Sequence, residues 1–263
     1  MKDIQRLTPK EIRNLIRKGK WDKPTAGLAM GYAQANLVIL PQKYAFDFLI
    51  FCQRNPKPCP LLEVLEPGEF RTKYLSSDAD IRTDIPRYNI YRKGRLQNTV
   101  EEIKSFWEPD FVSFLLGCSF SFEEAMIRSK IPVRHIEENK NVPMFITHIP
   151  CKRAGVFHGP MVVTMRPILP DQVTRAVQIT SRYALVHGAP IHIGDPSAIG
   201  IRDLRKPDFG DPVTIKKGEI PVFWACGVTP QAVVTKAKPD LCITHAPGYM
   251  FISDLLNEEL AIL

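Results

Sequence analysis

The sequence predicts an α/β protein: a three-layer α/β/α sandwich carrying a smaller inserted two-layer α+β unit. Three observations lead there. In the last third, apolar runs at 220–225 and 241–244 alternate with helical patterns at 230–237 and 249–257. In the middle, two strand-like stretches lie between two amphipathic helical ones. Across all 263 residues, 44% apolar and 24% charged side chains are the ordinary globular mix, with ample core. The main domain is expected to take residues 1–119 and 186–263, and the inserted unit 120–185.

Each element has a local reason. Thr8-Pro9-Lys10-Glu11 opens a helix: Thr8 caps, Pro9 fits the first helical position, and Glu11 closes a capping box. Ile12, Leu15 and Ile16 share one face, and Gly19 stops it. Asn36 to Leu40 reads as a buried strand, and Tyr44, Phe48, Phe51 and Cys52 recur at helical spacing over 42–54. Asn55-Pro56-Lys57-Pro58 ends that helix; short strands follow at 61–65 and 88–91, and Thr99 and Glu102 mark a further helix start. Ser121-Phe122-Glu123-Glu124 reads as a capping box for a helix to about Ser129. Strands at 143–149 and 160–167 join through a turn around Gly155, and a helix covers 171–183. A strand at 189–193 precedes the final strand, loop, helix, strand, loop, helix series. That series predicts a parallel pair with a right-handed crossover.

Ligands bind beyond the carboxyl ends of strands in such sheets. Gly194-Asp195-Pro196, Cys226-Gly227-Val228-Thr229-Pro230-Gln231 and Thr244-His245-Ala246-Pro247-Gly248 would then share one edge. Cys226 stands at a strand exit before a helix whose amides favour an anion, the alternative being an inert buried thiol. His245 is the candidate base. Thr229 reads as a helix cap that can also face a ligand, and Gln231 and Asp195 line the same edge. Cys118, Ser119 and Glu123 lie together at a helix start whose amides suit a carboxylate or oxyanion. Arg166, at a strand end, can grip a carboxylate in bidentate fashion. Arg82 and Asp84 read as a structural ion pair.

The wider composition narrows the function. Thirty-five Lys and Arg against 28 Asp and Glu give a net charge of +7, spread along the chain. No nucleic-acid motif accompanies it, so a small anionic substrate is the expected partner. No apolar run approaches the roughly 20 residues needed to span a bilayer. The early Asp3 and the lack of an apolar signal core predict no export signal, hence a cytoplasmic protein with reduced cysteines. The six cysteines form no C-x-x-C pair, and no phosphate loop or G-x-S-x-G elbow is present, so no cofactor and no metal are expected. A site on His187, His192 and Asp195 is a minority alternative. A homo-oligomer is compatible with the sequence.

Taken together, GYAQANLVILP, DFLIFCQRNPKPCPLLEV, RTDIPRYNIYRKG, LLGCSFSFE, MVVTMRP, HGAPIHIGDP, PVFWACGVTPQ and THAPGYM resemble, in this order, the bacterial putative hydro-lyase family, also called the D-glutamate cyclase family. The resemblance covers nearly the whole chain. It implies the two-part α/β architecture and a lyase that converts D-glutamate to 5-oxo-D-proline and water, as the related mitochondrial enzyme does. It carries over no catalytic residue set, so the site residues rest on the reading above. On that reading His245 moves protons, Arg166 anchors a carboxylate, and the 117–119 and 226–228 amides hold an oxyanion. Cys226 is then a wall of the site rather than a nucleophile. The alternatives are a hydro-lyase for another small hydroxy or amino acid, and a non-catalytic carboxylate-binding protein linked to oxoproline metabolism.

Overall fold

The computed structural model describes residue 4 and residues 7–262. The N-terminal residues read above for an export signal, Asp3 among them, lie outside the described residues. The chain begins with α1 (Pro9–Arg17), where the Thr8–Glu11 capping box forms as expected. β1 (Tyr32–Pro41) leads directly into α2 (Gln42–Arg54), and β2 (Leu61–Leu65) follows the Pro-rich turn. β3 (Tyr88–Arg92) and β4 (Arg95–Val100) form a hairpin, and β5 (Phe111–Gly117) runs into α3 (Phe120–Arg128). After α4 (Arg134–Glu137) come β6 (Met144–Pro150), β7 (Pro160–Ile168), α5 (Pro170–Ser181) and the two-residue β8 (His192–Ile193). The last elements are β9 (Ile220–Ala225), α6 (Thr229–Ala237), β10 (Cys242–His245) and β11 (Phe251–Leu256).

The fold is α/β, with helices packed on two antiparallel sheets. Sheet one has the order β2-β5-β1-β10-β3-β4, with β11 also paired to β1; sheet two is β6-β7-β9-β8. Every strand pairing among the described residues is antiparallel. The expected parallel pair of 220–225 and 241–244 is therefore corrected. β9 lies in sheet two and β10 in sheet one, with α6 passing between sheets rather than crossing over one. The helical spacing had no means of naming the partner strand.

Three local expectations also change. Thr99 starts no helix. Lys93 and Gly94 both take positive φ, the two-residue turn that suits a tight hairpin, and Arg95–Val100 returns along β3. Gly94 is held to glycine by the Thr235 carbonyl, which a Cβ would strike. Residues 249–257 are not a closing helix, because the Pro247-Gly248 turn sends the chain back along β1, where Ala35 pairs with Phe251 and Gln34 with Ile252. The central strand β5 has no counterpart among the expected elements.

β1 carries two cores. Leu37 and Ile39 face Leu115, Ile243, Ile90 and the loop residues Leu75, Ile81 and Ile85. Val38 and Leu40 face Phe48, Phe51, Val233 and Val234 of α2 and α6. Helices α3 and α5 pack on sheet two through Phe122, Ala176 and Trp224. An ion-pair network ties α1 to β11 and the 72–84 loop. Fully buried Arg13 donates to Asp254 and Asp78, and Arg17 pairs with Asp84. Arg82 pairs with Asp80 rather than Asp84, which corrects the expected pair; the nearer carboxylate wins because Asp84 is taken up by α1.

Candidate functional site

Glu123 occupies the first turn of α3 and is buried against the guanidinium of fully buried Arg166 on β7. Arg166 Nε donates to Glu123 Oε1 at 3.1 Å, its Nη2 to the same oxygen and to Ser119 Oγ at 3.1 Å, and its Nη1 to Thr164 Oγ1 at 3.0 Å. The guanidinium also lies 5.2 Å from the centre of the Phe122 ring and 5.3 Å from that of Trp224. Glu123 Oε1 has a third neighbour: Nε2 of His135, on α4, at 3.2 Å. Burial alone would raise the Glu123 carboxyl, but the charges of His135 and Arg166, with the hydrogen bonds of Arg166, hold it below its ordinary value. A buried carboxylate that stays ionised beside a histidine is an acid–base arrangement. No sequence motif announced His135; its contact with Glu123 arises only when α4 folds back on α3.

Helix α3 starts differently from expectation. Ser119 precedes it without a capping bond, and Ser121 lies inside it, where its Oγ accepts the backbone N–H of Gln34. Ser121 is therefore not the cap. Burial against β1 gives its hydroxyl a stronger claim there, and Glu124 pairs with Arg128 instead.

The Cys118 and Cys226 turns do come together. Both thiols lie in one apolar cluster with Phe120, Val162, Val228 and Met250. Asn36 of β1 bridges them, donating to the Gly117 carbonyl at 2.7 Å and resting so close on Gly227 that a Cβ there would overlap it. Burial pushes the Cys226 thiol up to about 12 and Cys118 well above the usual thiol range. Both are uncharged thiols at neutral pH, so neither is prepared as a nucleophile.

The other expected site residues are placed apart. Thr229 is the first residue of α6; its Oγ1 donates to the Cys226 carbonyl at 2.7 Å and accepts from Val162 N at 3.0 Å, clamping α6 to β7. Gln231 Nε2 donates to the His245 carbonyl at 2.7 Å. His245 is fully buried, and its Nδ1 accepts the Leu37 N–H at 3.1 Å. That contact fills the break on β1 between the end of the β10 ladder at Val38 and the start of the β11 ladder at Ala35. Burial lowers the His245 imidazole to about 4, so it is neutral at pH 7. Asp195 is exposed, caps the short helical turn that follows it, and accepts from Ser197 N at 3.0 Å. His192 touches the Asp195 carbonyl, whereas His187 is buried against the Lys57 carbonyl. Among the described residues no three His, Cys, Asp or Glu side chains gather as a metal site requires.

A cavity of about 570 Å³ adjoins the Glu123 cluster. That falls in the size range of small-molecule sites, roughly 300–1,000 Å³. Lys23, Ala26, His135, Lys140, Asn141 and Asp211 line it. Ala26 also packs on the Cys118–Cys226 cluster, so the cavity joins both centres. Asn141 Nδ2 donates to the Pro247 carbonyl at 2.9 Å and Thr25 N to the Gly248 carbonyl at 2.9 Å, which brings the Pro247-Gly248 turn to the same wall. A second cavity, about 420 Å³, lies by Arg128, Arg182 and Tyr183, but Glu124 and Glu258 already pair with Arg128 there. Among the described residues no helix is long and apolar enough to cross a membrane.

Fold and site together define an α/β protein in which a buried, charge-compensated cluster of Glu123, Arg166 and His135 stands behind a cavity of about 570 Å³. Residues 112–254 match the D-glutamate cyclase family. The chain is 62% identical to a Thermoanaerobacter protein named putative hydro-lyase, over 98% of each chain. It is 61% identical to one of the same name from Geobacillus kaustophilus, over 98% of each. A Bacillus subtilis relative, again named putative hydro-lyase, is 60% identical over 98% of this chain and all of its own. The chain belongs to the D-glutamate cyclase family, and it is an enzyme of the hydro-lyase type.

Proposed function

We propose that the protein closes D-glutamate to 5-oxo-D-proline and water in the cavity between the 21–28 loop and the 135–141 segment. The observation that carries this reading is the charge pattern of the cavity. Lys23 and Lys140 bring positive charge for carboxylates, with Lys140 shared at the protein surface with Glu138 at 2.8 Å; Asp211, which also accepts Asn141 N, brings a carboxylate for one ammonium, and the ionised Glu123 lies behind His135. Glutamate carries that set of charges. Family membership supports the same chemistry, and the charge excess of +7 favours an anionic substrate.

Ring closure needs no nucleotide. The chain must be bent so that the α-nitrogen meets the carbon of the γ-carboxylate, and holding reactants in such a geometry contributes up to about 7–11 kcal/mol. Arg166 is committed to Glu123, Ser119 and Thr164, so the carboxylate-anchoring role passes from Arg166 to the cavity lysines. The test is to incubate the protein with D-glutamate and, separately, L-glutamate, and follow 5-oxoproline on a chiral column. Conversion of the D form upholds the reading. Conversion of neither, with turnover of another small hydroxy or amino acid, replaces the substrate and keeps the hydro-lyase class.

A further inference from the structure

We infer that His135 is the group that moves protons in this cavity, with Glu123 as its orienting carboxylate and Arg166 as a positioning residue behind Glu123. The inference rests on the reading of the cavity as the place where glutamate closes. Four observations carry it. His135 lines the cavity, whereas His245 is withdrawn into the β1 ladder. Its Nε2 faces Glu123 Oε1 at 3.2 Å, and the ring is 1% exposed where it forms part of the cavity wall. Its ring lies nearly parallel to that of Phe120, 6.0 Å away at 27°, which limits its rotation. The Nε2 contact is close but not aligned as a hydrogen bond, and alignment of such pairs tightens when substrate binds.

The division of labour follows from the geometry. Glu123 Oε1 is shared between Arg166 and His135, so the guanidinium holds the carboxylate in place while the carboxylate stabilises a protonated imidazole. Arg166 does not line the cavity and reaches His135 through Glu123. The other charged groups near the ring are Lys140 on its own segment and Lys23 and Asp211 across the cavity.

The proton inventory closes with one imidazole. The α-ammonium of glutamate gives a proton to His135, and the freed nitrogen lone pair forms the bond to the carbon of the γ-carboxylate. The imidazolium passes that proton to a γ-oxygen. The nitrogen, now bonded to two carbons, releases a second proton to the same imidazole, which hands it to the same oxygen. The C–O bond then breaks with its electron pair on oxygen, and water leaves. Of three nitrogen-bound hydrogens, one stays on the lactam and two depart in the water, with no oxidant, reductant or nucleotide consumed.

The experiment joins turnover to a ring signal. His135→Ala and His135→Gln are assayed with D-glutamate, with and without added imidazole, and the His135 ring is followed by NMR in the wild type and in Glu123→Gln. Expected are a loss of about 100-fold or more in kcat, partial recovery of the Ala variant by imidazole, and a displaced His135 ring signal once the Glu123 charge is removed. Arg166→Lys should lower kcat more than it raises KM, and displace the same ring signal. If the wild type turns over D-glutamate and both His135 variants keep pace with it, the inference is overturned and the cyclase reading stands. If the wild type turns over neither enantiomer, the cyclase reading falls, and the ring signal decides the inference. Displacement of the His135 signal by glutamate, succinate or acetate upholds it, and a signal unmoved by all three overturns it.

Discussion

Two arginines of this protein are fully buried among carboxylates, and they do different things. Arg13 joins α1 to Asp78 and Asp254, with Asp84 4.0 Å from its Nε, and nothing in that network lines a cavity described above. Arg166 holds Glu123, which also faces a histidine on the wall of a 570 Å³ cavity. The chemistry of the pair is the same. What separates a structural clamp from a candidate site is whether the carboxylate has a third partner that reaches a ligand. Removing one member of a buried pair strands the other, so both arginines matter for stability; only one should matter for turnover in any other way.

The largest effect should come from the clamp. Arg13→Met strands the carboxylates around it and should cost about 3–5 kcal/mol in urea unfolding. Turnover per folded molecule at low temperature should stay at the wild-type level; a loss there would join the two networks and break the comparison. Next in size, residue for residue, is acid unfolding. His245 and His187 are buried neutral, each with burial lowering its imidazole from 6.5 to about 4. The unfolded chain takes up those protons first, so stability is complete above pH 6.5 and falls as pH drops towards 4. The loss should be roughly 3 kcal/mol for each histidine. Urea midpoints from pH 8 to 4 would show it, and His245→Gln should flatten about half of the slope.

Glu123 acts in a lower window. Its folded carboxyl is held below the ordinary value by His135 and Arg166 against the effect of burial, so its contribution is present above pH 4.5 and is lost as pH falls below that. Glu123→Gln should remove this acid dependence and, with it, activity, a combination that Arg13→Met must not give. The smallest effect belongs to the thiols. Cys226→Ala should lower kcat by less than about 10-fold, because its thiol, pushed up to about 12, carries no charge at neutral pH. Complete loss of turnover in a folded variant would return Cys226 to the chemistry.

Cys118, Ser119 and Glu123 were legible as one group because a helix start concentrates backbone amides and polar side chains; that Arg166 and the Cys226 turn reach the same place, and that exposed Asp195 does not, only the fold shows. His135 was not, because Pro132-Val133-Arg134-His135 carries no motif and its meaning depends on what lies 12 residues earlier on another helix. His245 misled for a related reason. A histidine after a strand looks like a displayed base, yet the same position is where β1 changes partner from β10 to β11 and an N–H needs an acceptor.

The sequence by itself determined the features whose causes lie within a few residues. The capping box sets α1, and apolar spacing fixes α2, α5 and α6 to within one or two residues at each end. Tertiary structure decided what depends on a partner far along the chain. It separated β9 and β10 into different sheets, turned 251–256 into a strand on β1, drew Ser121 away from capping, and brought His135 to Glu123. Short apolar runs satisfy a helix or a strand equally well. The open N–H and C=O groups of β1, and the buried charge on Glu123, chose between them, since each needs a partner once water is excluded.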